Sequence, residues 1–491
     1  MLLKPYKIKI KTGGPLVAVL HEETAQQFDL HVGDRVKLKS GRTTITCMLD
    51  VTKNGFPKKR VGLFAETYKE LNIDTESDMV QVIPADKPAS LLSIRAKLDG
   101  KRLTPDELNN IVRDIVHGEL SDVEMTYFVS GCYAHGLSDD ETAALTKAIV
   151  ANGKKLTFTN KIIADKHCIG GVPGNRVTPI VVAIITSAGI LMPKTSSRAI
   201  TSPAGTADAV EVVCEVTINA HRLKTIAETV GGFMVWGGGV DLAAADDRMI
   251  KIRNPMSLDP EGMLLASIMA KKHSVSANHV LIDIPVGPTV KIKDAAHAQH
   301  LKNRFIQIGK MLGMKVQVLV TDGSQPIGYG IGPLLEMIDV MNVLKNDPAQ
   351  PEDLREKSIY ESGTLLEMTG VAAKGKGYKM AEELVSSGRA WKQFNRIVKA
   401  QGAKRIPKPA KYTVGIKAVT AGTIRSIDNK LIAHLARIAG APKDVTAGLV
   451  IHKKVGDRIK VGDVLYTVYA SNTDRLKYAL DFSKNNGYII K

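Results

Sequence analysis

A glycine-rich stretch, DKHCIGGVPGNR at residues 165–176, has the residue types of an anion-binding loop. Lys166 supplies a positive charge, and Gly170 and Gly171 allow the backbone to approach a ligand closely. A strand predicted at 161–164 precedes the stretch and a helix predicted near Thr178 follows it, so unpaired N–H groups of the helix would face the same anion. A glycine-rich turn alone is often an ordinary connection. The added cation and the strand–loop–helix context favour a phosphate site.

A second stretch, KTSSRAITSPAGTAD at residues 194–208, follows an apolar run and precedes a helix predicted around Val210. Its many hydroxyls, one Arg and one Lys suit phosphate or sugar oxygens, since an Arg fork and hydroxyl groups donate to them directly. A helix cap rich in Ser and Thr would explain one or two of these hydroxyls but not the whole set. We therefore treat this stretch as a second part of the same candidate site.

Short aliphatic strands alternate with helices across residues 160–405, for example at Val280–Val286 and Val316–Val320. Near-continuous aliphatic strands joined by Gly-rich turns and helices are typical of a mainly parallel sheet covered on both faces. Ligands of such sheets bind beyond the carboxyl ends of the strands. We therefore expect an α/β domain that binds phosphate.

Three further regions surround this domain in the predicted organisation. Residues 1–85 contain two similar β–turn–β units, from Val17 and from Val61, which resemble a duplicated half of a double-psi β-barrel. Residues 90–158 are predicted to be helical, with capping boxes starting at Thr104, Ser121 and Ser138, and to be completed by roughly 240–275. Residues 411–491 return to short strands and turns. We expect scaffold or assembly roles for the two terminal modules.

Composition restricts the function classes. The net charge of +17 attracts anions, yet aromatic residues make up only 5% and no basic stripe interleaves with them, so a small anionic substrate fits better than nucleic acid. The four cysteines lack disulfide or zinc spacing, and the first residues lack a signal-like apolar core. The apolar run at 180–192 is far shorter than the ~20 residues of a membrane span. We expect a cytoplasmic enzyme with no membrane partner and no metal site.

Five separated motifs together resemble the thymidine and pyrimidine nucleoside phosphorylases. The first two are K-H-x-x-G-G at 166–171 and S-x-R-x-x-T-x-x-x-G-T-x-D-x-x-E at 196–211. The others are LLASIMAKKH at 264–273, TDGSQPIGYGIGPLLE at 321–336, and the C-terminal stretch AGAPKDVTAG…GDVLYTVYAS. The resemblance covers roughly residues 90–471. It implies a helical domain plus an α/β domain, as in type II nucleoside phosphorylases.

The N-terminal module and the exact residues of three motifs are similar to those of one branch of that family, the AMP phosphorylases of archaeal nucleotide salvage. The resemblance implies that AMP and phosphate give adenine and ribose 1,5-bisphosphate, with phosphate as co-substrate, no cofactor, and a homodimer or higher homo-oligomer. It implies that Asp259 is the proton donor. The other implied substrate and phosphate ligands are Lys166, Gly170, Gly171, Ser196, Ser197, Arg198, Ala199, Ile200, Thr201, Ser202, Thr206, Arg253, Ser267, Lys271 and Lys291.

The sequence also departs from the nucleoside phosphorylases. Cys168 replaces a usual Ser, and Asn175-Arg176 stand where those enzymes have an acid, which makes the loop more cationic. Arg176, Lys194 and Arg198 therefore suggest that a 5′-phosphate is bound as well. The alternatives are a pyrimidine nucleoside phosphorylase, a phosphoribosyltransferase with an acidic Mg²⁺ site, for which EVVCEV at 211–216 is a poor candidate, and a basic nucleic-acid-binding protein.

Asp259 has two interpretations from the sequence alone. It precedes Pro260, so it is a plausible cap for the following helix. As a proton donor it would need a raised pKa, which burial against Met263 and Leu264 would provide.

Overall fold

The computed structural model describes residues 1–13, 16–73, 75, 78–199, 202–240, 243–256, 258–483 and 487–491. The chain divides into two compact units, residues 1–153 with 243–267 and residues 154–242 with 268–491. Each unit has its own helices and sheets and is described separately below.

The first unit begins with a closed six-stranded barrel of strand order β1-β5-β2-β4-β3-β6. Its elements are β1 (Leu2–Lys7), β2 (Val17–His21), α1 (Glu22–Gln26), β3 (Arg35–Ser40), β4 (Thr43–Thr52), β5 (Arg60–Leu63), α2 (Ala65–Glu70) and β6 (Val80–Pro84). The two similar sequence units share one backbone feature: Asp29 and Asn72, which follow the two short helices, have φ of 52° and 51°. Asp and Asn tolerate this left-handed conformation better than most residues.

Helices complete the first unit. They are α3 (Ser90–Leu98), α4 (Pro105–Val116), α5 (Asp122–His135), α6 (Asp139–Ala151), α10 (Ala244–Arg253) and the first part of α11 (Glu261–His273), with a 3₁₀ turn at Asn254–Met256. All three predicted capping boxes are confirmed: Thr104, Ser121 and Ser138 each accept from the backbone N–H three residues later, and the Glu at that position bonds back.

The barrel is attached to the helices by a buried arginine. Arg35 Nε on β3 donates to the Glu119 carbonyl at 3.0 Å, and its Nη2 pairs with Glu124, the capping-box residue of α5. Thr46 on β4 donates to the Glu119 carboxylate at 2.8 Å. The barrel therefore contacts the turn that precedes α5 through charged and polar bonds.

The second unit is built on parallel strands. Strands β7 (Ala164–Cys168), β10 (His279–Val286) and β11 (Lys315–Asp322) form a parallel sheet in the order β11-β10-β7, and β8 (Met192–Ser196) pairs in parallel with β9 (Gly232–Trp236). A parallel bridge between Ile163 and Leu191 joins the two sets. The expected parallel α/β arrangement is confirmed. All the carboxyl ends of these strands consequently lie at one edge.

The helices around these strands are α7 (Val177–Ser187), α8 (Thr206–Glu211), α9 (Ala220–Val230), α12 (Ala295–Met311), α13 (Pro333–Lys345), α14 (Glu352–Met368), α15 (Gly377–Ser386) and α16 (Arg389–Ala400). A 3₁₀ turn lies at Gly237–Gly239. The apolar run from Ile180 belongs largely to α7, whose residues from Val177 to Thr186 are all buried. This helix is therefore a core helix, which explains its lack of a polar face.

Two antiparallel sheets end the second unit, of strand orders β12-β15-β17-β13 and β16-β14-β18. Their elements are β12 (Gly330–Ile331), β13 (Tyr412–Lys417), β14 (Gly422–Ile427), α17 (Asn429–Ala439), β15 (Gly448–Ile451), β16 (Arg458–Ile459), β17 (Val464–Ala470), α18 (Thr473–Phe482) and β18 (Tyr488–Ile490). Strand β12 comes from the glycine-rich motif at 321–336 and pairs with β15, so that motif contributes to both parts of the unit.

Candidate active site

The first glycine loop leaves the carboxyl end of β7 and leads into α7. Gly170 and Gly171 have φ of 94° and 100°, a conformation that favours glycine. A Cβ on Gly171 would lie 2.9 Å from the Lys291 backbone nitrogen, so this position also lacks space for a side chain. The structure thus brings Gly171 close to the backbone of Lys291, two residues that the family resemblance implies in the site.

Lys166 lies within strand β7 and not in the loop that follows. The sequence pattern predicts the strand at 161–164; pairing with β10 instead makes Ala164–Cys168 the strand, with Lys166 opposite Leu281. The Lys166 Nζ is 2.6 Å from Glu361 Oε2 of α14, and the two side chains are 1% and 0% exposed. Burial raises the pKa of Glu361, and the charge of Lys166 opposes that rise. Glu361 is not among the residues predicted from the sequence.

The second loop is closed by one carboxylate. Asp208 Oδ2 accepts from the backbone N–H groups of Ala199 and Gly205 at 2.7 and 2.9 Å. A Cβ on Gly205 would lie 2.5 Å from the Ser197 carbonyl oxygen, so close packing requires glycine there. Ser202 donates to the Ala204 carbonyl at 3.2 Å. The predicted ligands Ile200 and Thr201 lie outside the described residues.

Arg198 is held by two acids on α8. Its Nη1 and Nη2 contact Glu211 at 2.5 and 3.0 Å, and Nη1 lies 3.2 Å from Asp208. The guanidinium also lies 5.0 Å from the ring centre of Trp236. The hydrogen bonds to Glu211 raise the pKa of Arg198 further. The N–H donors of the Arg198 guanidinium are therefore engaged with carboxylates of the chain itself.

Two buried hydroxyls at the end of β8 have no hydrogen-bond partner among the described residues, Thr195 Oγ1 and Ser196 Oγ. Buried hydroxyl groups are nearly always hydrogen-bonded, so unpaired ones at a strand end point to a ligand. Ser196 was predicted as a phosphate ligand, and Thr195 was not singled out. Both follow Lys194 on a strand whose carboxyl end faces the same edge as that of β7.

Arg176 and Lys194 do not supply free charge to the loops, which corrects the interpretation drawn from the sequence. Arg176 Nε donates to Glu336 at 2.7 Å, Nη1 to Thr206 Oγ1 at 2.7 Å, and Nη2 to the Ala204 carbonyl at 3.1 Å. Lys194 Nζ is 3.2 Å from Asp165 and is buried. Partners from distant segments, which the local sequence does not show, pair with both cations.

Asp165 also pairs with Lys272 of α11 at 2.6 Å, so it lies between two buried lysines. Burial, and then the charges of nearby lysines including Lys271, holds the pKa of His167 well below its usual range. His167 is consequently a neutral imidazole near neutral pH. The predicted ligand Lys271 lies close enough to His167 to contribute to this effect.

The first unit brings the other predicted residues together around Asp246 of α10. Ser267 donates to Asp246 Oδ2 at 2.7 Å, and Arg253 Nη2 lies 3.9 Å from Asp246 Oδ1. Arg253 Nη1 lies 3.3 Å from Asp259 Oδ1. Asp246 is not among the residues predicted from the sequence, although its position two turns before Arg253 on one helix is readable there.

Asp259 is not buried as the proton-donor hypothesis required. Its side chain is 44% exposed and its carboxylate contacts Arg253. The expected burial against Met263 and Leu264 was therefore wrong for this structure. Arg253 instead ties Asp259 to the cluster formed with Asp246 and Ser267.

Among the described residues no three His, Cys, Asp or Glu side chains are arranged to hold a metal ion. None of the helices in the described part of the chain has the length and apolar character of a membrane span.

Comparison with known proteins defines the class of the chain. Residues 93–153 match the helical bundle domain of the glycosyl transferase family, and residues 423–489 match the C-terminal domain of pyrimidine nucleoside phosphorylase. The anthranilate phosphoribosyltransferase of Thermus thermophilus is similar in fold, with a TM-score of 0.55 at 16% identity over 63% of this chain and 99% of that one. The domain matches indicate the glycosyl transferase class, and the likeness to the solved structure shows a shared fold.

Full-length relatives identify the family. The chain is 40% identical over 489 residues to the AMP phosphorylase of Methanococcoides burtonii, covering 99% of this chain and 96% of that protein. It is 42% identical over 472 residues to the AMP phosphorylase of Thermococcus kodakarensis, covering 95% and 93%. The chain belongs to the AMP phosphorylase family.

Proposed function

We propose that this protein cleaves the N-glycosidic bond of AMP with inorganic phosphate, giving adenine and α-D-ribose 1,5-bisphosphate. The observation that carries the proposal is the pair of buried hydroxyls of Thr195 and Ser196 at the strand edge, which make no hydrogen bond within the described part of the chain, in a chain of this family. The edge also carries the glycine loop after β7. Phosphate is the co-substrate, and no cofactor enters the proposal.

The second unit supplies the phosphate ligands in this mechanism. Lys166, the N–H groups at Gly170 and Gly171, and the hydroxyls of Thr195 and Ser196 hold phosphate and neutralise part of its charge. Fixed donors in a water-poor site lower the barrier because they need not reorganise during the reaction. Orientation of the attacking oxygen towards C1′ contributes as well.

The leaving base requires a proton. A phosphate oxygen forms a bond to C1′, the C1′–N bond breaks, and its electron pair stays on adenine, which takes a proton from Asp259. Single displacement inverts C1′ and gives the α-1-phosphate. Asp259 must be protonated when it acts, and because its side chain is 44% exposed, we propose that the bound substrate shields it from water. Arg253, Ser267, Lys271 and Lys291 are proposed to bind the nucleotide.

A phosphoribosyltransferase remains the second enzyme candidate on fold alone. It would need free acids for Mg²⁺ and pyrophosphate near 211–216. Glu211 instead pairs with Arg198 at 2.5 Å, and Glu215 pairs with Arg222 at 2.7 Å. These pairs favour phosphorolysis over pyrophosphate chemistry.

A substrate panel tests the proposal: AMP, CMP, UMP, adenosine and thymidine are incubated with phosphate, and the release of free base is followed. We expect AMP to exceed adenosine in kcat/KM by about 10²-fold or more, because two or more charge-assisted phosphate contacts contribute about 1.5–3 kcal/mol each. Equal rates for AMP and adenosine, or a preference for thymidine, would leave an ordinary nucleoside phosphorylase.

We also propose the finer organisation predicted from the sequence. It comprises a double-psi-like barrel at 1–85, a helical domain at 90–158 completed by 240–275, a type II nucleoside phosphorylase α/β domain at 160–405, and a β-rich domain at 411–491. The closed barrel with parallel pairs β1–β5 and β2–β4 supports the first assignment. Limited proteolysis should cleave first near these boundaries.

A homo-oligomer in the cytoplasm is the remaining proposal. Apolar side chains on α3 and α5, Leu92, Val123 and Tyr127, are 74%, 64% and 53% exposed. Val123 and Tyr127 lie one turn apart and share a helix face. Contact between copies through this face would cover them. Light scattering coupled to gel filtration measures the mass, and a monomer would refute the proposal.

A further inference from the structure

Four charged side chains that are at most 10% exposed lie side by side where β7 and β10 meet helix α14. In the parallel register Lys166 is opposite Leu281 and Cys168 is opposite Asp283. Lys166 and Cys168 are two residues apart, so Lys166 and Asp283 project from the same face of the sheet. Helix α14 presents Lys357 and Glu361, which lie one turn apart on a single helix face.

The four charges form two ion pairs, each between one residue of the sheet and one residue of α14. Lys166 Nζ is 2.6 Å from Glu361 Oε2, and Lys357 Nζ is 2.9 Å from Asp283 Oδ2. Thr321 of β11 fixes the second pair, accepting from Lys357 at 2.9 Å and donating to Asp283 at 2.6 Å. The Lys357 pair therefore joins α14 to β10 and β11. Because Glu361 lies one turn further along α14, these bonds also restrict its position.

Within the described part of the chain, the Glu361 carboxylate makes one close contact, with the Lys166 ammonium. Neither of its carboxylate oxygens makes a well-directed hydrogen bond among the described residues, and the side chain is fully buried. The Lys166 ammonium is thus its close counter-charge. A buried carboxylate with so few hydrogen bonds is costly to the fold, which indicates a role beyond packing.

We propose that Glu361 is a positioning residue that fixes the Lys166 ammonium in place before phosphate binds. A lysine has a flexible four-carbon stem and three N–H donors. Pairing one donor with a carboxylate on a rigid helix restricts the stem and leaves the others for the phosphate. The inference rests on the proposed role of Lys166 as a phosphate ligand.

Glu361→Gln and Glu361→Asp test the proposal by steady-state kinetics of the full-length enzyme, varying phosphate and AMP separately. Glu361→Gln should raise KM for phosphate by about 10- to 100-fold, since displacement of a catalytic group by about 1 Å costs up to that much. The kcat at saturating phosphate and KM for AMP should change by less than about 3-fold. Glu361→Asp retains the charge on a shorter stem and should recover part of the phosphate affinity.

Glu141→Gln is the matched control. Glu141 forms a buried pair with Lys97 at 2.8 Å in the first unit, and its substitution should lower stability without moving KM for phosphate. If Glu361→Gln is folded and has the wild-type KM for phosphate, the proposal is wrong. If Glu361→Gln does not fold, Glu361→Met, which keeps the side-chain length without the charge, is measured instead, and a wild-type KM for phosphate in that variant refutes the proposal.

Lys166→Ala separates this inference from the proposed function. When Lys166→Ala loses phosphate binding but Glu361→Gln keeps it, only the positioning role fails. When Lys166→Ala itself keeps the wild-type KM for phosphate, the role of Lys166 fails and the inference fails with it. In the Lys166→Ala background, Glu361→Gln should not change KM for phosphate further, because the residue acts through Lys166.

Discussion

The candidate residues of the two units differ in how firmly the fold holds them. In the second unit, Lys166 and the hydroxyls of Thr195 and Ser196 lie on buried strands. In the first unit, Asp259 lies between two helices with its side chain 44% exposed. The proposed phosphate ligands are thus fixed by the sheet, whereas the proposed proton donor is partly exposed and less firmly held. This contrast suggests that substitutions should act differently in the two regions.

The largest effect is expected from Asp259→Asn. The amide retains the size of the side chain and cannot donate an acidic proton, so kcat should fall by about 10²–10⁴. Because Asp259 is partly exposed, the melting temperature should stay close to that of the wild type. Rapid-quench kinetics and thermal melting measure both quantities. A lower melting temperature with normal turnover would make Asp259 only a helix cap.

Lys166→Ala should lower kcat/KM by about 10²–10³ by removing a cation from the phosphate site. In contrast to Asp259→Asn, Lys166→Ala should also lower the free energy of unfolding, since Glu361 would remain buried without its counter-charge. Lys97→Ala, in the buried pair with Glu141, is the control that should lose stability alone. Near-normal kcat/KM in Lys166→Ala would remove this residue from the site.

A smaller effect is expected from Asp246→Asn. Its amide oxygen can still accept from Ser267, but the charge near Arg253 is lost. We expect KM for AMP to rise by about 10-fold, the lower end of what a charge-assisted contact contributes, while KM for phosphate stays constant. Asp247→Asn, on the next residue of α10, is the positional control. A rise in KM for phosphate instead would place the cluster on the phosphate side.

The smallest effect on activity should come from Asp339→Asn in α13. This variant tests how the stability of the second unit depends on pH. Burial raises the pKa of Asp339 to about 6, although hydrogen bonds from the backbone N–H groups of Gly330 and Tyr329 act to lower it. Because the folded pKa exceeds the unfolded value, this group's stabilising contribution is complete below about pH 4 and is lost as the pH rises through 6. The loss amounts to about 3 kcal/mol at about 1.4 kcal/mol per pKa unit.

The variant removes this titration while its amide oxygen can still accept the two N–H groups. The melting temperature of Asp339→Asn relative to the wild type should therefore rise between pH 4.5 and pH 7.5. A difference that is independent of pH would show that Asp339 does not titrate in this range.

Local features of the fold were predictable from the sequence. The helix starts at Thr104, Ser121 and Ser138 depend on residues three positions apart, and the sequence contains them completely. The glycine loop and the parallel strands followed from residue type and periodicity. The exact start of β7 did not, because its register is set by pairing with β10, more than a hundred residues away.

The charge partners were the part that the sequence could not supply. Glu361 and Glu336 reach Lys166 and Arg176 from helices far along the chain, and nothing in the local sequence marks either acid. The same limitation explains why Arg176 and Lys194 were interpreted as free cations. Long-range pairing decides which cations remain available to a ligand.

The most direct test of the central claim is a ³¹P NMR time course of AMP with inorganic phosphate and enzyme, with free adenine measured in parallel. The account predicts that phosphate and AMP decline together, with one adenine and one bisphosphorylated α-ribose formed for each phosphate consumed. Without phosphate, AMP should persist. Release of adenine without consumption of phosphate would indicate hydrolysis and would contradict the account.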